Sequence, residues 1–237
     1  MKKTKYIAGL ITLLSATCLN AQINYGSNNV GGTNSSVAGG FANHCVARDA
    51  IVGSGWSNTN TAHRGTIGGG AANWALTDYS TIPGGARAKT RSHGQLAYSA
   101  SSFDATGAGQ SQFGLYVLRG SIAGTGTVEL SLDSAGTEHI SVPANGSFLF
   151  DIDVACRSTS PSNSIYGNFF HWKVAVENRN GNLACIDLDY KEKIDHNTNL
   201  VFSAECVNDK FKLKGTGEAN NTVYWVATVK STELVKP

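Results

Sequence analysis

His63, Asp78 and His93 recur fifteen residues apart, with Arg48 fifteen residues before them. In stacked coils, side chains one period apart lie about 4.8 Å from each other. A His–Asp–His ladder at that spacing has the donor set for a metal ion or an anion, so these three are the metal candidates. The same column also reads as a solvated turn that carries polar groups, and the expectation is that no cofactor is held. A second set is Asp187, Asp189 and Glu192. Paired carboxylates can cleave glycosides, but Asp187 and Asp189 flank Leu188 on what reads as the outer face of a strand, where acids are usually just solvated. No residue is assigned as catalytic, and the chain is expected not to be an enzyme. A third set is aromatic: Tyr166, Phe169, Phe170, His171 and Trp172. Alternation places half of them in a core. Tyr166, in a loop, and Trp172 are the ligand-binding candidates. No nucleophile elbow, phosphate loop or Cys-x-x-Cys pair is present.

The elements that must position these groups differ between the two halves of the chain. Residues 22–127 hold 20 of the 27 glycines and three acids, Asp49, Asp78 and Asp104; residues 128–237 hold six glycines and 14 acids. The first half repeats every fifteen residues. Val37, Val52, Ile67 and Ile82 form a β-branched column suited to a buried strand position. Gly40, Gly55, Gly70 and Gly85 form a glycine column, which implies a positive φ or a backbone approach too close for a Cβ. Asn43, Asn58 and Asn73 form a third column, able to hydrogen-bond along a stack. Fifteen residues give about 50 Å of extended chain. That is enough for one coil of two short strands and two turns, so each unit reads as one coil of a β-roll or solenoid.

Thin coils bury little. Full burial of one Val or Ile is worth roughly 1.5–3 kcal/mol, whereas ordering fifteen residues costs on the order of 15–30 kcal/mol. Sister chains would supply the missing burial, and a homotrimer is expected. Residues 128–237 read as short alternating strands separated by turns such as Asn180-Gly181, the pattern of an antiparallel β-sandwich or jelly roll. The fold class is therefore all-β: a repeat β-roll stalk over 22–92, a connector over 93–127 and a β-sandwich head over 128–237. If Leu183–Ile194 and Leu200–Val207 form a hairpin turning at Asp195-His196, Cys185 faces Cys206 and a disulfide can close.

The N-terminus has the layout of an export signal: basic Met1–Lys5, apolar Ile7–Ala16, and cleavage after Ala21. Cys18 offers an alternative lipoprotein anchor. The mature chain loses three lysines, which leaves 16 bases against 17 acids. It is near neutral and lacks the basic face of a nucleic-acid binder. A secreted or cell-surface location follows, with no transmembrane segment in the mature chain.

Ser36-Val37-Ala38-Gly39-Gly40 and Thr66-Ile67-Gly68-Gly69-Gly70 resemble the repeats of trimeric autotransporter adhesin heads. Gly94–Phe103, Gly107–Gln110, Tyr116–Gly120 and the strand Val223–Val229 resemble phage tail-fibre-like proteins. The resemblance implies a trimeric fibre whose tip meets a cell surface, receptor or glycan. The export signal and the cysteines depart from phage fibres, and no membrane-anchor barrel segment follows as in autotransporters. The expected function is a secreted, non-enzymatic fibre or adhesin. A self-assembling matrix or filament subunit is the alternative, and a polysaccharide-cleaving spike ranks behind both because the stalk is poor in acids.

Overall fold

The computed structural model describes residues 27–159, 167–194 and 199–237, with 187–194 described through their backbone. The export segment over 1–21 and Tyr166 lie outside the described residues.

The fifteen-residue period becomes an all-β solenoid of about five coils. β1 (Asn29–Val30), β3 (His44–Cys45), β5 (Thr59–Asn60) and β7 (Trp74–Ala75) stack in parallel as one four-stranded sheet. β2 (Ser36–Val37), β4 (Ile51–Val52), β6 (Thr66–Ile67) and β8 (Thr81–Ile82) stack likewise on the other side, each residue paired with the one fifteen further on. Val37, Val52, Ile67 and Ile82 point inward and are buried, with Ala47, Ala62, Ala75 and Ala88 filling the rest of a thin core.

Two columns hold the coils in register. Gly40, Gly55, Gly70 and Gly85 all have positive φ, and a Cβ on any of them would run into a backbone carbonyl of the next coil. Beside them runs a buried asparagine ladder. Asn58 Oδ1 accepts the Asn73 N–H at 3.1 Å, while Asn58 Nδ2 donates to Asn43 Oδ1, Ser54 O and Gly70 O at 3.0, 3.2 and 3.0 Å. Asn43 and Asn73 repeat the pattern. The side-chain amides thus satisfy turn groups that so small a core would leave buried and unpaired.

The second solenoid face continues without a break into the C-terminal strands. β9 (Leu96–Tyr98) pairs in parallel with β8 and antiparallel with β10 (Ser111–Leu130). Among the described residues one 12-stranded sheet runs in the order β14-β13-β12-β16-β10-β9-β8-β6-β4-β2. Here β12 is Gly146–Ser158, β13 Gly167–Arg179, β14 Asn182–Ile194 and β16 Lys210–Val235; β11 (Ile140–Ser141) and β15 (Phe202–Val207) pair the first part of β16. β10 crosses the expected 127/128 boundary, so much of the expected connector is strand. β16 likewise extends well beyond Val223–Val229, over Lys210–Val235. β10 and β16 shift register at Ala123–Thr127, beside the positive-φ residues Gly124, Gly126 and Asn220.

The large core lies on one side of these strands, where Phe150 stacks on Phe211 at 4.6 Å and Trp225 Nε1 donates to Thr216 O at 3.1 Å. Cys185 and Cys206 are bonded, S–S 2.04 Å. The expected hairpin is corrected, however. β14 pairs β13 and β15 pairs β16, and among the described residues β14 and β15 form no ladder with each other.

Where the last coil meets the long strands, Glu233 is buried and fully engaged. It accepts from Tyr116 Oη at 2.5 Å, Gln112 Nε2 at 2.6 Å, Ser231 Oγ at 2.7 Å and Gln95 Nε2 at 3.2 Å, and pairs with Arg91 at 3.3 Å. Burial first, then the adjacent carboxylate, push the Tyr116 phenol well above its usual range. The polar side chains of this network are paired with one another across the seam, so it acts as a structural joint.

Candidate functional site

The outward face of β12 carries the strongest concentration of reactive side chains. The run Leu149-Phe-Asp-Ile-Asp-Val-Ala155 alternates. Phe150, Ile152 and Val154 are buried, which forces Asp151 and Asp153 onto the opposite face. β13 and β16 flank β12, and their registers choose the neighbours. Asp153 sits opposite His171 and Thr228; Asp151 sits opposite Lys173 and Lys230.

The ligating atoms of Asp151, Asp153 and His171 lie within 4.8 Å of one another. His171 Nδ1 is 2.8 Å from Asp153 Oδ1 and 3.5 Å from Asp151 Oδ1. Lys173 Nζ is 4.0 Å from Asp151 Oδ2, and Lys230 Nζ is 3.6 Å from Asp153 Oδ2. Asp151 Oδ1 is buried with no hydrogen-bond partner, an expensive condition for a carboxylate oxygen. A shallow pocket of about 330 Å³ opens beside the cluster, lined by Asp153, Phe169, Phe170, His171, Val226 and Thr228. Phe169 is half exposed on its rim. The arrangement offers two carboxylates and an imidazole for proton transfer, next to an aromatic and aliphatic wall. The same three ligating groups could also hold a divalent cation, although two lysines already balance the acids.

The residues singled out from sequence fall elsewhere. Along the solenoid, His63 Nδ1 accepts the Arg48 N–H at 3.3 Å, Asp78 Oδ1 accepts the His63 N–H at 3.0 Å, and the His93 ring lies 5.0 Å from that of Tyr79. The first two side chains serve the backbone of the preceding coil. Trp172, a ligand-binding candidate from sequence, is only 7% exposed and sits edge-on to Phe202 in the core, where its ring is used in packing. The side chains of Asp187, Asp189 and Glu192 lie outside the described residues. Sequence reasoning missed Asp151 and Asp153, although the strict alternation of β12 marks both as outward. It read His171 only as an aromatic, because its pairing with Asp153 depends on the β12–β13 register.

No protein-family model matches the chain, and no curated protein matches it significantly. Solved structures do. The tailspike protein of Acinetobacter baumannii phage AM24 is similar at 11% identity and a TM-score of 0.32, over 87% of this chain and 49% of that one. Tailspike protein gp49 of Acinetobacter baumannii bacteriophage Fri1, described as a capsular polysaccharide depolymerase, is similar at 8% identity and a TM-score of 0.29, over 84% and 46%. The chain thus spans about half the length of these neighbours. Both are phage tailspikes, and neither is an adhesin head. The expectation of a non-enzymatic fibre or adhesin is corrected by this finding, since the neighbours are tailspikes and one is described as an enzyme that breaks down polysaccharide.

Proposed function

We propose that the chain is a polysaccharide-cleaving spike-type protein whose reactive groups are Asp151, Asp153 and His171. The observation that carries this reading is the approach of two carboxylates and an imidazole to within 4.8 Å beside a pocket walled by Phe169 and Val226. Glycoside cleavage with retention uses two carboxyl groups about 5–5.5 Å apart, and the nearest oxygens of this pair lie within 4.8 Å of each other. Asp153, on the pocket wall, meets the scissile bond. Asp151 supplies the second carboxyl. His171 holds Asp153 through the 2.8 Å contact, and Phe169 offers a ring face to the sugar.

The finer architecture belongs to the same proposal. The C-terminal strands act as a sandwich-type head, the chain is exported by its N-terminal segment, and three copies associate. The solenoid core of alanines and one Val or Ile per coil supports association. So do the exposed apolar residues Phe113, Val117 and Leu149 on the outward side of β10 and β12.

The test is reducing-end release from capsular polysaccharides by the full chain. Asp153→Asn is expected to lower turnover at least a hundredfold with an unchanged thermal midpoint. His171→Gln, which removes the imidazole that holds Asp153, is expected to lower it about tenfold. Turnover at the wild-type rate in Asp153→Asn would sink the assignment.

A further inference from the structure

We infer that one edge of the solenoid is a binding track for an acidic polysaccharide, separate from the Asp151–Asp153–His171 cluster. This deepens the proposed function by naming a substrate class, and it rests on that reading only for the claim that the bound glycan is also cut.

The track follows the outer side of the asparagine ladder. Phe41 and Trp56 bridge one another in successive coils and are 54% and 55% exposed. The next residue in that column is Ala71, and the aromatic position moves three residues round the same coil, across the positive-φ corner at Ala72, to Trp74. In the following coil Ala86 continues the Phe41–Trp56 column, Arg87 takes the corner held by Ala72, and Lys89 stands at the Trp74 position with its Nζ 5.2 Å from the centre of the Trp74 ring. Two outward columns thus flank the corner, Phe41 and Trp56 on one side and Trp74 and Lys89 on the other. Within each column the coils are spaced by about 4.8 Å, so neighbouring units of a glycan can meet neighbouring side chains of a column.

The fold gives no reason for these residues to be apolar. Phe41 and Trp56 point away from the core, at positions filled by Ala71 and Ala86 in the coils that follow. Exposed aromatic faces suit the C–H faces of sugars, and a ring beside a cation suits a ligand that carries both sugar faces and negative charge.

Charge selects the acidic class. Residues 22–127 contain six arginines and lysines against three acids. Asp49 is taken up by Arg48 and Arg64, and Asp78 by the His63 backbone. Among the described residues no carboxylate lies within ion-pairing distance of Arg87 or Lys89. Burial and the neighbouring Arg91 lower the affinity of Lys89 for its proton, which agrees with an uncompensated positive spot at that end of the track.

The experiment measures retention of the full chain on four immobilised acidic polysaccharides (polygalacturonate, alginate, hyaluronan and chondroitin sulfate), with dextran as the neutral control. Expected are binding to at least one acidic polymer that weakens as salt is raised, at least tenfold weaker binding in Trp56→Ala and in Lys89→Glu, and no change in Phe103→Ala, an exposed ring off the track. Binding to none of the four, equal retention on dextran, or unaltered binding in both Trp56→Ala and Lys89→Glu overturns the inference. So does a change in solution mass in Trp56→Ala, which would make this edge a contact between copies. Track-dependent binding without turnover on any polymer would defeat the hydrolase reading and leave the track standing. Turnover that depends on Asp153 with binding indifferent to Trp56 would do the reverse.

Discussion

At the scale of single residues, the asparagine ladder shows how a fold with little apolar core stays together. Asn58 is fully buried, and its amide joins three coils. Asn58→Ala leaves the Asn73 N–H and two carbonyls without these partners, and an orphaned buried group costs about 1–3 kcal/mol. The expected loss is therefore about 2–4 kcal/mol, read as a lower urea midpoint. Asn58→Asp should do no better, because the carboxylate has no N–H₂ to offer the Gly70 carbonyl. The glycine and asparagine columns were legible from spacing alone. The column Ala42, Ser57, Ala72 and Arg87 was not. All four have φ between 53° and 61°, a conformation that alanine and arginine do not advertise. The coil closure imposes it, and no residue type marks it. Asp151 and Asp153 were open to sequence reasoning through the period-two pattern of β12. The one Asp-x-Asp pair weighed from sequence was Asp187 and Asp189, set aside as solvated acids on an outer strand face, and their side chains lie outside the described residues.

At the scale of elements, the loop between β9 and β10 is ordered around one carboxylate. Asp104 accepts from Gln110 Nε2 at 2.6 Å, and from the N–H groups of Gly107 and of Thr106, the last at 2.8 Å. The Gln110 bond first, then the backbone bonds, hold its pKa down to about 2. A depressed carboxylate contributes stability above its unfolded value and loses it as pH falls through its folded one. The thermal midpoint of Asp104→Asn is therefore expected to lie below that of the wild type near pH 5, and the difference should shrink between about pH 4 and pH 2. A gap that stays constant over that range would show that the charged form has no part in holding the loop.

At the scale of the whole molecule, the joint between solenoid and C-terminal strands decides whether the chain unfolds as one body. Arg91 and Gln95 come from the last coil; Gln112, Tyr116, Ser231 and Glu233 come from the long strands, and Arg91 and Glu233 are 142 residues apart. A contact of that separation has no local signature, which is why it could not be read from periodicity, whereas the solenoid, built from contacts fifteen residues apart, could. The side chain of Glu233 is fully buried and that of Arg91 nearly so. Removing one partner of such a pair costs about 3–5 kcal/mol, because the other charge stays buried without compensation. Glu233→Gln keeps the shape but places an amide N–H₂ against the donors Tyr116, Gln112, Ser231 and Arg91. The penalty falls on the seam, while the solenoid ladder and the Phe150–Phe211 core are left intact. The wild type is expected to unfold in a single calorimetric transition. Glu233→Gln should separate into two, the lower belonging to the solenoid, whose core is small, and the upper to the strands that carry the large aromatic core. If Glu233→Gln keeps one transition at the wild-type temperature, the joint is not what couples the two parts, and the backbone pairing of β8, β9 and β10 must be sufficient to do so.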